Sequence, residues 1–317
     1  MTVRVAAVDC GTNSIRLLVA DVDPATGSLA DLDRRMRIVR LGQGVDRTGR
    51  LAPEALERTF AACREYAEVI AGHGVPPERV RFVATSASRD AENRDAFVAG
   101  VVSILGVRPE VISGDQEAEF SFTGATRELA GAEGMDAPYL VVDIGGGSTE
   151  FVLGDREVTA ARSVDLGCVR MTERHLTVDG AVVDPPTSER VAAITADIDA
   201  ALDQAAAAVP LERARTLVGL AGSVTSVSAI AQDLPAYDPA RIHHSRVGLE
   251  QVREVTARLL AATHAERAAI PSLHEGRVDV IASGALILLR IMERTAAKEV
   301  VVSEHDILDG IAFAAAG

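Results

Sequence analysis

The stretch Asp143-Ile144-Gly145-Gly146-Gly147-Ser148-Thr149-Glu150 has the residue types and spacing of an anion cradle beside a cation site. Three successive glycines pack nothing and cost backbone entropy. They permit a tight turn whose N–H groups approach a ligand closely, and a concave row of such donors binds anions. Ser148 and Thr149 add hydroxyls. Asp143 and Glu150 flank the turn with carboxylates, which suit a hard, largely hydrated Mg2+. Together these features describe a phosphate site. The competing explanation is an ordinary glycine-rich hairpin turn, and a second copy of the pattern weighs against it. Asp9-Cys10-Gly11-Thr12-Asn13-Ser14 repeats acid, glycine and hydroxyl at the same spacing, with Asp9, Gly11 and Ser14 standing for Asp143, Gly145 and Ser148.

Each copy lies between apolar, β-branched runs, at 5–8 and 15–20 for the first and 139–142 and 151–153 for the second. Each therefore reads as strand, acidic turn, strand. The duplication suggests two related halves facing each other across a phosphate-binding cleft, and 317 residues suit two domains. The boundaries are expected at 1–130 and 131–302, with a Gly/Ala/Pro-rich crossing at 131–138. A closing helix at 303–317, capped by Ser303, should return to the N-terminal domain.

The chemistry such a cleft supports is phosphoanhydride cleavage, which needs charge neutralisation, alignment and an oriented water. Mg2+ on Asp143 and Glu150, with Asp9 opposite, would neutralise phosphate oxygens. The terminal phosphate would rest on backbone N–H groups around Gly11, Gly145, Gly146 and Gly147. The hydroxyls of Thr12, Ser14 and Ser148 and the Asn13 amide would join them. A strand at 80–84 runs into Thr85-Ser86-Ala87-Ser88-Arg89, a strand end passing into a helix start, and Arg89 is the favoured phosphate-binding side chain.

Composition narrows the classes. A net charge of -14 argues against nucleic acid or an anionic membrane as a general partner. The single lysine, Lys298, is not in a Gly-Lys-Ser/Thr context, which excludes a P-loop. Cys10, Cys63 and Cys168 are odd in number and show no Cys-x-x-Cys spacing, which fits a reducing compartment without structural zinc. No apolar leader precedes the first strand, and the apolar run at 280–291 is shorter than the ~20 residues that span a bilayer. A cytoplasmic protein is expected.

Elsewhere, arginines at 34, 35, 37 and 40 alternate along a strand leading to a glycine loop, a pattern shared by solvated edge strands. Pro53 opens a helix with an apolar face of Leu56, Phe60, Cys63, Ala67 and Ile70, so Cys63 reads as core. Further strands are expected at 158–164, 216–220 and 300–302, and an Ala-rich helix at 188–209. His243 and His244, adjacent in an extended segment, should point apart and form no joint metal site.

Asp9-Cys-Gly-Thr-Asn-Ser14, Asp143-to-Glu150 and Leu220-Ala-Gly-Ser-Val-Thr225 resemble the two phosphate motifs and third glycine turn of the actin-like superfamily. Leu41-Gly-Gln-Gly-Val-Asp46, Ala84-Thr-Ser-Ala-Ser-Arg89, Ile112-Ser-Gly-Asp-Gln-Glu-Ala118, Leu166-Gly-Cys-Val-Arg170 and the segment from Ser303 to Gly310 resemble one branch, the exopolyphosphatase / guanosine pentaphosphate phosphohydrolase family. The resemblance covers the whole chain in order. It implies an α/β fold of two ribonuclease-H-like domains and Mg2+-dependent release of terminal phosphate from inorganic polyphosphate. It also implies a catalytic carboxylate at Glu117 and a homodimer. Guanosine pentaphosphate is the alternative substrate, and a kinase, a phosphate sensor or a filament subunit are more distant ones. Two departures stand out. Gln116 occupies a position where the family often has an acid, and the closing segment Asp306-Ile-Leu-Asp-Gly310 lacks the arginine common there. Longer relatives carry extra helical domains, and since this chain stops at Gly317, short polyphosphates are the expected preference.

Overall fold

A computed structural model describes residues 2–127, 129, 135–178 and 181–317. Part of the expected crossing segment, 131–134, lies outside the described residues. The chain forms two units, Met1–Gly124 together with Asp306–Gly317, and Ala125–His305.

In the first unit β1 (Val3–Cys10), β2 (Ser14–Asp23) and β3 (Ser28–Ile38) run antiparallel, and β4 (Val80–Ala84) and β5 (Glu110–Val111) extend the sheet in parallel. The strand order is β3-β2-β1-β4-β5. Side chains alternate across a strand, so β1 feeds two cores. Ala6, Val8 and Cys10 join Cys63, Tyr66, Phe97 and Val101, whereas Val5 and Ala7 join Ile307, Leu308, Ile311 and Ala312. Short helix α1 (Val45–Thr48) precedes α2 (Pro53–Gly72), which starts at a proline, where a missing N–H costs nothing. Its buried face is Ala55, Thr59, Ala62, Cys63, Tyr66 and Ile70. Relative to the sequence expectation the face is rotated, because Tyr66 turns inward to donate its hydroxyl to the Ile15 carbonyl at 2.9 Å. Cys63 is core, as read. After β4 come α3 (Ser86–Asp90), α4 (Arg94–Leu105) and, past β5, α5 (Gly114–Thr126).

β3 is an edge strand of this sheet, with β5 at the other edge. Its arginines are consumed by ion pairs, Arg34 with Asp31 and Asp309, Arg35 with Asp33 and Glu65, and Arg37 with Glu65. The charged-edge alternative is thus what this strand adopts.

The second unit repeats the plan. β6 (Tyr139–Ile144), β7 (Thr149–Gly154) and β8 (Val158–Val164) are antiparallel. After α6 (Cys168–Met171), the small β9–β10 ribbon (Thr177–Val178, Ala181–Val182) and α7 (Ser188–Ala208), strand β11 (Thr216–Leu220) lies parallel to β6. Then follow α8 (Ala221–Ala231), α9 (Pro239–Ile242), β12 (Arg246–Gly248), α10 (Leu249–Ala261), α11 (His264–Ala268), α12 (Ile281–Thr295) and β13 (Glu299–Val302). The sheet order β12-β13-β11-β6-β7-β8 contains the order of the first sheet, with one antiparallel edge strand added. No helix among the described residues is long and apolar enough to cross a membrane.

Helix α13 (Ile307–Ala316) completes the first unit. Its N-cap is Asp306, not Ser303. The Ser303 hydroxyl is spent on the His305 carbonyl, while Asp306 accepts from the Leu308 N–H and Asp309 reaches back to the Asp306 N–H. The expected opposed orientation of His243 and His244 also fails. His244 has φ 59, which folds the pair so that the His243 and His244 rings stack at 3.8 Å, with His305 4.6 Å from His243.

Candidate active site

The two sequence-identified hairpins close in the same way. The Gly11 N–H donates to the Ser14 carbonyl at 3.0 Å, and the Gly145 N–H donates to the Ser148 carbonyl at 3.0 Å. In the first, Asp9 lies opposite Arg16 across the ladder; in the second, Asp143 lies opposite Glu150.

Around the first hairpin the loop after β3 acts as a brace. Asn13 accepts backbone N–H bonds from Val39 and Arg40, and Thr12 accepts from Gly42. A Cβ on Gly42 would stand 2.3 Å from the Thr12 methyl, so only glycine allows this approach. The Thr12 hydroxyl bonds Ser86 at the head of α3 at 2.8 Å. Asp9, Thr12 and Asn13 are buried, and Gly11 and Ser14 are half-buried. Arg16 directs both Nε (3.0 Å) and Nη2 (2.7 Å) at one oxygen of Asp9, Oδ2, and Nη1 at Asp306. Burial raises the Asp9 carboxyl above its usual range despite Arg16. Cys10 is buried and burial pushes its thiol well up, opposite to what a reactive cysteine needs.

Arg89 and Glu117 meet. Arg89, on α3, donates from Nη1 to Glu117 Oε2 at 3.2 Å and to the Ile112 carbonyl at 3.0 Å. Glu117, in the first turn of α5, is only 7% exposed. Gln116 occupies its departure position for a local reason. It accepts the Ser113 N–H while Ser113 Oγ accepts the Gln116 N–H, a reciprocal cap at the helix start.

In the second unit the glycine turn is tied down from behind. The Gly145 carbonyl accepts from the Cys168 N–H, that of Gly146 from Val169 and Arg170, and that of Gly147 from Arg170 Nε at 2.7 Å. With its carbonyls bound behind by α6, the N–H groups are the donors the turn could offer an anion. A Cβ on Gly167 would lie 2.3 Å from the Gly146 backbone, which explains the Leu166-Gly-Cys-Val-Arg170 motif as packing against the turn. Ser148 is buried, and Glu150, also buried, accepts from Ser163 Oγ at 2.7 Å.

Three residues escaped the sequence reading. The roles of Arg16, Asp306 and Arg277 were not read, although Asp306 lies in the closing motif, since each acts on a residue remote in the chain. The Arg277 guanidinium lies against the third glycine turn, where a Cβ on Gly222 would fall 1.6 Å from Nη1. The only sequence hint is that glycine itself.

Twin sheets of like order, each presenting an acid–glycine–hydroxyl hairpin, define a phosphate-handling protein of the actin-like fold. The chain belongs to the Ppx/GppA phosphatase family, which its residues 18–316 match. It is 52% identical over 325 aligned positions, covering 99% of both chains, to the Exopolyphosphatase 2 of Mycobacterium tuberculosis. It is 29% identical to a guanosine-5'-triphosphate,3'-diphosphate pyrophosphatase of Aeromonas salmonicida, covering 98% of this chain and 59% of that one. Among solved structures, an exopolyphosphatase-like protein superposes with a TM-score of 0.92 at 44% identity, covering 99% of this chain and 97% of the other.

Proposed function

We propose that this protein is an exopolyphosphatase, which hydrolyses the terminal phosphoanhydride of inorganic polyphosphate with Mg2+ as its metal. The observation that carries the reading is Glu117, a buried carboxylate held 3.2 Å from Arg89 in the unit that bears the first phosphate hairpin. A base for water attack must be fixed in place before its pKa matters. The higher identity to an exopolyphosphatase than to a guanosine pentaphosphate enzyme supports the choice of substrate.

Glu117 orients a water and accepts its proton as the oxygen attacks the terminal phosphorus, while the bridging P–O bond breaks and its electron pair leaves with the oxygen of the shortened polyphosphate. Arg89 holds Glu117 and offers its remaining N–H groups to phosphate oxygens, which a planar guanidinium binds in pairs. In the first unit the hairpin amides around Gly11, the hydroxyls of Thr12 and Ser14 and the Asn13 amide offer donors to phosphate oxygens; in the second the amides around Gly145, Gly146 and Gly147 and the Ser148 hydroxyl do the same. Arg277, on the third glycine turn, adds a positive charge for an anionic chain.

The residues present fit Mg2+. Asp9 Oδ1 is buried with no hydrogen-bond partner among the described residues, and Asp143 and Glu150 lie opposite each other on the second hairpin. Among the described residues no three His, Cys, Asp or Glu side chains gather as a complete ligand set, which suits an ion that keeps waters and takes substrate oxygens. When bound, Mg2+ supplies charge neutralisation of the phosphate oxygens. The reading extends to a cytoplasmic homodimer. Its three free, buried cysteines support a reducing compartment, and sedimentation velocity tests the dimer.

The experiment is phosphate release with Mg2+ on short polyphosphate, long polyphosphate, guanosine pentaphosphate and ATP, with Glu117→Gln as the blank. Release from polyphosphate that falls about 100-fold or more in the variant is expected. Release from the guanosine nucleotide alone would move the protein to nucleotide metabolism. No release from any substrate, or undiminished turnover in a folded Glu117→Gln protein, would overturn the reading.

A further inference from the structure

We propose that Arg16 is a positioning residue. It selects which oxygen of Asp9 is offered to a divalent cation, and it ties that carboxylate to the N-cap of the closing helix. The inference rests on Asp9 facing the cation in the proposed function.

The geometry of the pair is unusual within this protein. Among the described residues six other arginines grip a carboxylate as a fork, with Nε on one oxygen and Nη2 on the other: Arg4 on Asp21, Arg34 on Asp31, Arg35 on Asp33, Arg37 on Glu65, Arg81 on Glu110 and Arg290 on Asp199. That is the favoured arrangement of a planar guanidinium and a carboxylate. Arg16 departs from it, sending Nε and Nη2 both to Oδ2 of Asp9. Oδ1 is left buried and without a hydrogen bond among the described residues. Leaving a buried acceptor unpaired is costly, more so on a charged group. A carboxylate held for stability alone would accept the fork. One held with a bare buried oxygen is prepared for a ligand, and a hard cation or its bound water suits a single carboxylate oxygen.

The reason the fork is refused lies on the other side of Arg16. Its Nη1 is engaged by Asp306 Oδ2, and Asp306 cannot follow the guanidinium, because its other oxygen caps α13 through the Leu308 N–H at 3.0 Å. Asp309 holds the Asp306 N–H at 2.9 Å and is itself paired with Arg34 on the edge strand. The guanidinium is thereby fixed from the α13 side, and its fixed orientation decides how it meets Asp9. In the second hairpin the same ladder position is Glu150, so this selection exists on one hairpin only.

The test is Mn2+ binding to the metal-free protein without substrate, by calorimetry and electron paramagnetic resonance, for wild type, Arg16→Lys and Arg16→Met. Melting temperature and steady-state kinetics on polyphosphate accompany it. Arg16→Met should bind Mn2+ at least about 10-fold more weakly and lose kcat by a similar factor, with KM for polyphosphate changed less than about 3-fold. Excess metal should restore part of kcat. Arg16→Lys keeps the buried charge and so keeps the fold if Arg16→Met does not. Its ammonium is a point donor without the rigid plane that directs two N–H groups at Oδ2 of Asp9 while a third bonds Asp306, and its Mn2+ affinity should fall about 3-fold or more. Wild-type Mn2+ affinity in either folded variant overturns the inference, as does a wild-type protein that binds no Mn2+. An inactive wild type whose Mn2+ binding still depends on Arg16 would sink the proposed function and leave this inference standing.

Discussion

Arg16 and Glu150 occupy the same ladder position in two hairpins that close with the same 3.0 Å turn bond, one facing Asp9 and the other Asp143. The halves are alike in backbone and opposite in charge. The first pairs a carboxylate with a guanidinium; the second sets two carboxylates at one ladder position, a like-charge pair that a bound cation would favour. Glu150→Gln removes one charge of that pair and keeps an acceptor for Ser163. The variant should melt at or above the wild-type temperature without metal, gain less from added Mg2+, and lose about 100-fold or more in kcat. A Mg2+-induced rise in melting temperature equal to that of wild type would count against a cation on this pair.

Arg89 was expected to hold phosphate, and the structure turns it first toward Glu117. The two roles separate by kinetics. If Arg89 both orients the base and binds substrate, Arg89→Met should lower kcat and raise KM, each by about 10-fold or more. Arg89→Lys, which retains a charge for phosphate but is shorter than the arm that brings Nη1 to both Glu117 and the Ile112 carbonyl, should keep KM closer to wild type than kcat. A pure KM effect in both variants would remove Glu117 from Arg89's influence.

The hairpins were legible because each is contiguous. Acid, glycines, hydroxyl and flanking strands fall within eight residues, and local turn chemistry needs no partner from afar. What escaped depends on side chains that meet across long separations. Arg16 finds Asp306 at the far end of the chain, and Arg277 finds Gly222. The helix cap was misplaced because Ser303 and Asp306 are both good caps, and only the structure reveals that Ser303 is occupied by His305. The histidine stack required His244 to take a left-handed φ, which a non-glycine residue adopts rarely and no local pattern announces. Leu56, Phe60 and Ala67 are only partly buried because the Tyr66 hydroxyl, seeking the Ile15 carbonyl, sets the rotation of α2.

Asp306 gives the acid limb of stability a specific contributor. Burial alone would raise its carboxyl; the Arg16 charge and hydrogen bond outweigh that, and the net value lies below the ordinary one. A carboxyl lowered in the folded state adds stability above its unfolded value, roughly pH 4, and loses it as pH falls through the folded value. Asparagine also caps helices, so Asp306→Asn isolates the charge. In metal-free buffer the variant should be less stable than wild type at pH 7, and the gap should narrow as pH is lowered from 5 toward 3. A gap that is constant with pH, measured by denaturant unfolding, would mean the ionised Asp306 contributes nothing.

Helix α5, which carries Glu117, and the closing helix α13 approach each other through glycines. A Cβ on Gly124 would fall 1.8 Å from the Asp306 carbonyl oxygen, and one on Gly310 would fall 2.1 Å from the Phe120 carbonyl oxygen. Both obstacles are backbone, so no side chain can swing aside. Two effects of Gly310→Ala then compete. Alanine is better in a helix interior by about 1 kcal/mol, while overpacking against backbone costs about 1–3 kcal/mol or more. At 2.1 Å the clash should win, with net destabilisation of at least ~1 kcal/mol. Because Phe120 lies one turn beyond Glu117, the displaced α5 should also lose turnover by about 10-fold. Gly72→Ala is the control, since a Cβ there meets nothing within 4 Å and the residue ends α2. That substitution should be neutral or slightly stabilising with unchanged kcat. A Gly310→Ala protein as stable and active as Gly72→Ala would mean that the α5–α13 approach does not hold Glu117 in place.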